Sequence, residues 1–231
     1  MMKKYQLKKL LEEKRLFKLI AGMENFNQEN VRMVVNSATL GKANAIDISA
    51  DSENIDWVKE NHTGLIVFVS SLSIHMLAVA KDWGADVLEL GNFDALYARG
   101  KSISSEEVIN LTRELRAIAG NTPICISIPG NMSINDQVSL AVQVQAAGAD
   151  MLQIENLSYE SDYDNAKEIS KSVEIPVILS GKLDASKVEK AMSTGVNGIG
   201  IGNAVNKKET LPEMVEEVKA IMKNLEVKVA V

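Results

Sequence analysis

The 231-residue sequence holds one cysteine, two histidines and no long apolar run. Each scarcity removes a class of function. A single thiol, Cys125, builds no intrachain disulfide framework and suits a reducing compartment. His62 and His75 stand alone, without His-x-x-x-His or Cys-x-x-Cys spacing, so no metal site is expected. The first sits at a predicted helix end and the second at a helix start, where surface roles are expected. No Gly-x-Ser-x-Gly elbow or Cys/His pair suggests a hydrolase nucleophile. The longest apolar run, Leu65 to Val69, is far too short to span a bilayer. The basic N-terminus "MMKKYQLKKLLEEKRLFKLIAG" carries acidic residues and lacks the apolar stretch and cleavage site of a secretory leader. It reads as a helix covering one end of the domain. A net charge of −6 and a pI near 5.1 give no electrostatic case for nucleic acid. The expectation is a cytoplasmic protein with neither membrane nor nucleic-acid partner.

What is present is a core-forming pattern. The chain is 46% hydrophobic, enough for one substantial core, and no linker divides residues 1–231. Short Val/Ile/Leu-rich segments alternate with helical patterns. One set follows a helix and a glycine: "LGKANAIDIS", "WGADVLELGN", "AGADMLQIEN" and "TGVNGIGIGN". The other follows a breaker: "RLFKLIAG", "TGLIVFVSS", "TPICISIPG" and "IPVILSGK". Helices are expected near 27–40, 52–60, 74–82, 105–119, 135–147, 165–172, 184–193 and 211–224. Ser104 with Glu107 makes a capping box, and Asp184 can cap the helix after it. Gly41, Gly84, Gly148 and Gly195 stand where helix C-termini want a left-handed residue. Eight strands alternating with eight helices predict a single-domain (β/α)8 TIM barrel of class α/β. An open doubly wound sheet is the alternative. The likeness of even strands to even and odd to odd favours the barrel, as a β-α-β-α unit used four times.

The even strands align on their preceding glycine. One column reads Asp47, Glu89, Gln153, Gly200, and the next on that face reads Ser49, Gly91, Glu155, Gly202. The intervening columns are wholly apolar and must face the helices, which turns the polar columns inward. On the odd strands the same rule turns Lys18, Ile20 and Gly22 inward. It does so too for Ile66, Cys125 and Ile178, then Phe68, Ser127 and Ser180, with Lys182 next. Buried charge is costly unless paired. The cluster is then either a structural ion network around Lys18, Asp47 and Glu89 or the floor of an active site. Barrel chemistry gathers at the C-terminal strand ends, which favours the floor.

"ILSGK" and "GIGIGNAV" end strands seven and eight, where many barrels bind phosphate. Ser180, Gly181, Gly202 and Asn203 are the candidate cradle. Asn92, Asn156 and Asn203 share one strand-end position, either stabilising turns or lining a polar pocket. An oxygen-ligand Mg²⁺ site from Asp47, Glu89 and Glu155 lacks support in the spacing. A Schiff base on Lys18 or Lys182 is a minor alternative.

The loop "GNFDALYARGKSISSEEVINLTRELR" resembles the Ycf-type proteins, hypothetical chloroplast reading frames of algae and cyanobacteria with bacterial relatives. "LFKLIAGMENFNQENVRMVVNSATLGKANAIDIS" resembles that family's first βαβ unit, with Lys18, Gly22, Asn25, Phe26 and Asp47 in matching places. "GIGIGNAVN" resembles its last strand and turn, including Asn206. The resemblance covers nearly the whole chain and implies an aldolase-type TIM barrel, a domain of unknown function with no established activity. One departure follows Glu155: "NLSYESDYDN" stands where relatives carry a Thr-Glu-Gly-Gly-like segment.

The function expected is an enzyme, a lyase or isomerase using acid–base chemistry on a small phosphorylated metabolite. Glu89 or Asp47 would be the base, and Lys18 or Lys182 would stabilise an oxyanion. Asn92, Asp94, Ser127, Gln153 and Glu155 would contact the substrate. No cofactor is required by this reading. The alternatives are an oxidoreductase with an FMN phosphate in the same cradle, and a non-enzymatic ligand-sensing or partner-binding barrel. Exposed helices would permit a homo-oligomer.

Overall fold

The computed structural model describes residues 2–97, 99–155 and 162–227, without the side chains of residues 94, 95 and 162. Helix α1 (Met2–Glu12) leads into β1 (Leu16–Gly22), α2 (Gln28–Gly41), β2 (Ala45–Ser49), α3 (Ser52–Asn61), β3 (Ile66–Ser71), α4 (Ile74–Asp82) and β4 (Val87–Leu90). Then follow the short α5 (Asp94–Tyr97), α6 (Ser105–Ala119), β5 (Ile124–Ile128), α7 (Ile134–Ala146), β6 (Met151–Glu155) and α8 (Asp162–Ser172). The chain ends with β7 (Val177–Ser180), a 3₁₀ turn (Ala185–Lys187), α9 (Val188–Ser193), β8 (Gly198–Ile201), the short α10 (Asn203–Asn206) and α11 (Leu211–Val227). The strands pair in sequence order, all parallel, and β8 returns to β1 to close the barrel.

A repeated stitch sets the strand register. Three of the left-handed residues that end helices are Gly84, Gly148 and Gly195, as expected. The fourth is Lys42, at φ 67°, and not Gly41. Two residues beyond each stands an Asn or Asp: Asn44, Asp86, Asp150 and Asn197. Their side-chain oxygens accept from the amides of Phe17, Val67, Ile124 and Val177 at 2.9, 2.9, 2.8 and 2.9 Å. Their own amides donate to the carbonyls of those same four residues. Each even strand is thereby clamped to the odd strand before it, four times round the barrel. The capping box of Ser104 with Glu107 and the Asp184 cap form as expected.

Gly41 is kept for another reason. A Cβ there would stand 2.3 Å from Val218 Cγ1 on α11, the helix packed along α2. Close helix approach, and not a backbone angle, demands the glycine.

The inward side chains divide into two zones. At the N-terminal end, Leu16, Ala45, Ile66, Phe68, Val87, Cys125, Met151 and Ile178 pack together, and Leu7 and Leu11 of α1 close the barrel beneath them. Asn197 Nδ2 to the Leu11 carbonyl (3.1 Å) and Lys3 Nζ to the Leu65 carbonyl (2.8 Å) hold the plug in place. The outward strand residues form the larger core against the helices. The polar zone occupies the other end. Among the described residues, no helix is long and apolar enough to cross a membrane.

Helix propensity alone would have Gly41→Ala stabilise α2 by about 1 kcal/mol. The contact with Val218 predicts the opposite sign, a loss of about 1–3 kcal/mol by overpacking, read from urea unfolding midpoints.

Candidate functional site

The polar zone is built around one cation. Lys18 is fully buried, yet its ammonium hydrogen-bonds Glu89 and lies 3.4 Å from the Asp47 carboxylate. It also sits 4.9 Å from the centre of the Phe68 ring, which divides the two zones. Burial works against the Lys18 charge, but Asp47 and Glu89 outweigh it and raise the ammonium above its ordinary value. The cluster extends sideways. Ser70 donates to Asp47, and Gln153 Nε2 donates to Glu89 Oε1 at 2.7 Å. Five strands, β1, β2, β3, β4 and β6, are joined through side chains inside the barrel.

Above this network, at the C-terminal strand ends, opens a cavity of about 250 Å³. Asp47, Ser70, Gln153 and Glu155 form its floor, and Ile20, Met23 and Leu183 are apolar parts of its wall. Lys18, Glu89 and Ser127 do not line it. Asp47 and Glu89 hold equivalent places on β2 and β4, yet the cavity reaches Asp47 while Glu89 stays covered. Burial pushes the Asp47 carboxyl up; the Lys18 ammonium pulls it back, the Glu89 carboxylate raises it again, and the result is about 7. A carboxyl that gains and loses a proton near neutrality, at the base of a cavity, suits general acid–base work.

The rim carries the glycines. Gly181 has φ 91°, and the following Lys182 is also left-handed at φ 43°. Gly202 passes so close to β1 that a Cβ would stand 3.0 Å from the Ile20 carbonyl. Both glycines line the cavity with Ser180, Lys182, Asn203 and Asn206. Asn206 Nδ2 donates to that Ile20 carbonyl at 2.9 Å. Ser180 is less open to a ligand than its place suggests, because its hydroxyl donates to the Ile154 carbonyl at 3.2 Å.

The loop after β4 crosses the mouth. Glu155 Oε1 accepts from the Phe93 amide at 3.1 Å, and the buried Phe93 ring anchors the segment. Ser127 serves the same loop: its Oγ accepts from the Asn92 amide at 3.3 Å and packs on the bare Cα of Gly91. Asn92 itself is left-handed at φ 64° and lines the cavity. Arg99 ion-pairs with Glu24 of the loop after β1, so the strap is tied on its far side. The Asp94 side chain and Asn156 lie outside the described residues.

A family model described as "Protein of unknown function (DUF561)" matches residues 1–230. The chain belongs to this family. The uncharacterized protein ycf23 of Cyanophora paradoxa is 31% identical over 219 residues, spanning 89% of this chain and 90% of that protein. Among solved structures, 3-hexulose-6-phosphate synthase from Salmonella typhimurium is similar with a TM-score of 0.70 and 13% identity, over 92% of this chain and 99% of that one. Thiamine phosphate pyrophosphorylase from Pyrococcus furiosus is similar with a TM-score of 0.65 and 22% identity, over 95% and 98%. These likenesses agree with the closed (β/α)8 barrel fold seen in the chain.

Two polar side chains of the cavity were not among the site residues read from the strand pattern. Ser70 follows Ile66 and Phe68 by the same alternation, but it stands in "VSSLS", which reads as a strand end and turn. Asn206 appears only within the family resemblance, one turn beyond the strand. Other expectations change with the geometry. Lys18, sealed and charged, is unsuited to Schiff-base formation, which needs a neutral and reachable amine. Its ammonium occupies the space between Asp47 and Glu89, and among the described residues no cluster suited to a metal ion forms. Cys125 is inert by position, since burial pushes its thiol well up. His62 is half-buried, bonded to Thr39 Oγ1 at 2.8 Å, while His75 is exposed.

The Asp47 shift has a signature in stability. The folded chain holds this proton to about pH 7 and the unfolded chain only to its ordinary 3.8. The stability linked to it is fully present below about pH 4 and is lost as pH rises through 7. Asp47→Asn should remove that decline, giving a flatter stability profile across the window in urea titrations.

Proposed function

We propose that this protein is a lyase or isomerase acting by proton transfer on a small phosphorylated metabolite. The observation that carries this reading is Asp47, a nearly sealed carboxyl at the cavity floor whose proton affinity is raised to about 7. Asp47 takes the role of base in preference to Glu89 because it lines the cavity. Burial raises its proton affinity most, and Lys18 and Glu89 act through it, Lys18 favouring the charged form and Glu89 the protonated one. Gly181, Gly202 and Asn203, with Ser180 and Lys182 beside them, suit the phosphate, as close-approaching backbone and a nearby cation would. Asn92 and Glu155, on and under the strap, orient the substrate. The two structural neighbours, a 3-hexulose-6-phosphate synthase and a thiamine phosphate pyrophosphorylase, carry names that point to phosphorylated ligands on this fold.

Size favours a metabolite over a flavin. The cavity, at about 250 Å³, falls below the ~300–1,000 Å³ of pockets that take drug-sized ligands. The acidic chain, at net charge −6, favours a small-molecule partner over nucleic acid.

Proton transfer next to a carbonyl leaves an isotopic trace. In D2O, dihydroxyacetone phosphate, ribulose 5-phosphate and fructose 6-phosphate are the probes, and at least one should exchange a carbon-bound hydrogen beside its carbonyl. Asp47→Asn should slow that exchange by about 10²–10⁴-fold while keeping the fold. No exchange with any of the three, from a protein that still binds them, would instead mark a non-enzymatic binding barrel.

A further inference from the structure

Two amide side chains at the cavity each leave one oxygen without a partner. Gln153 is only 3% exposed, and its Oε1 is buried and unbonded. The Asn206 Oδ1 is likewise buried and unbonded. Both residues line the cavity. An unsatisfied buried acceptor costs about 1–3 kcal/mol, so two of them at one site call for a ligand that satisfies them.

The orientation of each amide is fixed by its other end. Gln153 Nε2 donates to Glu89 Oε1, a carboxylate whose other oxygen holds the Lys18 ammonium. Turning the amide over would set oxygen against oxygen. Asn206 Nδ2 donates to the Ile20 carbonyl, which has no proton to give in return. The unpartnered atom is therefore an acceptor in both cases, and a group that satisfies it must bring a donor. The nearby hydroxyls do not fill the need, because Ser70 donates to Asp47 and Ser180 to the Ile154 carbonyl.

We infer that the cavity recognises the hydroxyl-bearing carbon chain of a short polyol or sugar phosphate, one hydroxyl donating to Gln153 Oε1 and another to Asn206 Oδ1. The inference rests on the phosphometabolite reading for where the phosphate goes, and adds what the rest of the molecule must carry. Hydroxyls suit these points better than an amine. The orphan atoms are single neutral acceptors, each needing one donor, whereas an ammonium brings three donors and a charge. The cation that the carboxylates require is already present as Lys18. The cavity, at about 250 Å³, is small, which suits a short chain. Gln153 also touches the proton-transfer site through the floor it shares with Asp47, so a hydroxyl bound there is delivered beside the base.

The test is calorimetric titration of the full chain with erythritol 4-phosphate, butyl phosphate, 4-aminobutyl phosphate and free erythritol. Erythritol 4-phosphate should bind about 10- to 100-fold more tightly than butyl phosphate, which leaves both acceptors unpaired. Gln153→Met should erase most of that preference, read as the ratio of the two affinities in the same variant. Asn206→Leu, on the half-exposed α10, gives the same readout if the core variant fails to fold. Equal affinity for erythritol and butyl phosphates, tighter binding of the amine, or no binding of any probe overturns the inference. Free erythritol binding as well as its phosphate, in a Gln153-dependent way, keeps the hydroxyl recognition and removes the phosphate reading instead.

Discussion

The ammonium of Lys18 is the constraint on which the polar half of the barrel depends. Taking a lysine out of water costs several kcal/mol, recovered only where the surrounding acceptors are placed well. Asp47 from β2 and Glu89 from β4 supply them, one on each side. Their charges in turn need donors, which Ser70 and Gln153 provide. Each member satisfies another, so none can be removed singly without stranding a buried polar group. The same arrangement sets the chemistry. Burial raises Asp47, the lysine limits the rise, and Glu89 restores part of it.

The remainder of the chain makes this arrangement affordable and accessible. The apolar zone below, closed by Leu7 and Leu11, keeps water from reaching Lys18 from the N-terminal end. Phe68 separates the zones and faces the ammonium with its ring. Above, the cavity opens only over Asp47 and its neighbours, leaving Lys18 and Glu89 under cover. The strap after β4 is fixed from beneath by Glu155 and Ser127 and from the side by Glu24. Structural and chemical roles are thus held by one network, partly open to the cavity and partly covered.

Much of this was legible in the sequence, for a physical reason. Strand side chains alternate, so Asp47, Glu89 and Gln153, flanked by pairs such as Leu88 and Leu90, had one face left to occupy. The closed barrel followed from the strict alternation of strand and helix. Access was not legible: Asp47 and Glu89 share a column, yet Asp47 lines the cavity and Glu89 is covered. Nor were close tertiary approaches. Gly41 looks like a helix-ending glycine, but Lys42 takes the left-handed turn while Gly41 makes room for Val218. Counting from Lys42 brings Asn44 into line with Asp86, Asp150 and Asn197, the clamps of the fourfold repeat. Asn206 escaped the strand pattern because its role arises from the contact of a post-strand turn with β1.

The central claim is that the buried network poises Asp47 near neutrality. Carbon-13 NMR of the Asp47 carboxyl, followed from pH 3 to 9 in the wild-type protein, tests it most directly. The account predicts a midpoint near 7. A midpoint near the ordinary 3.8 would contradict it, leaving the Lys18 cluster a structural ion network with no poised acid or base.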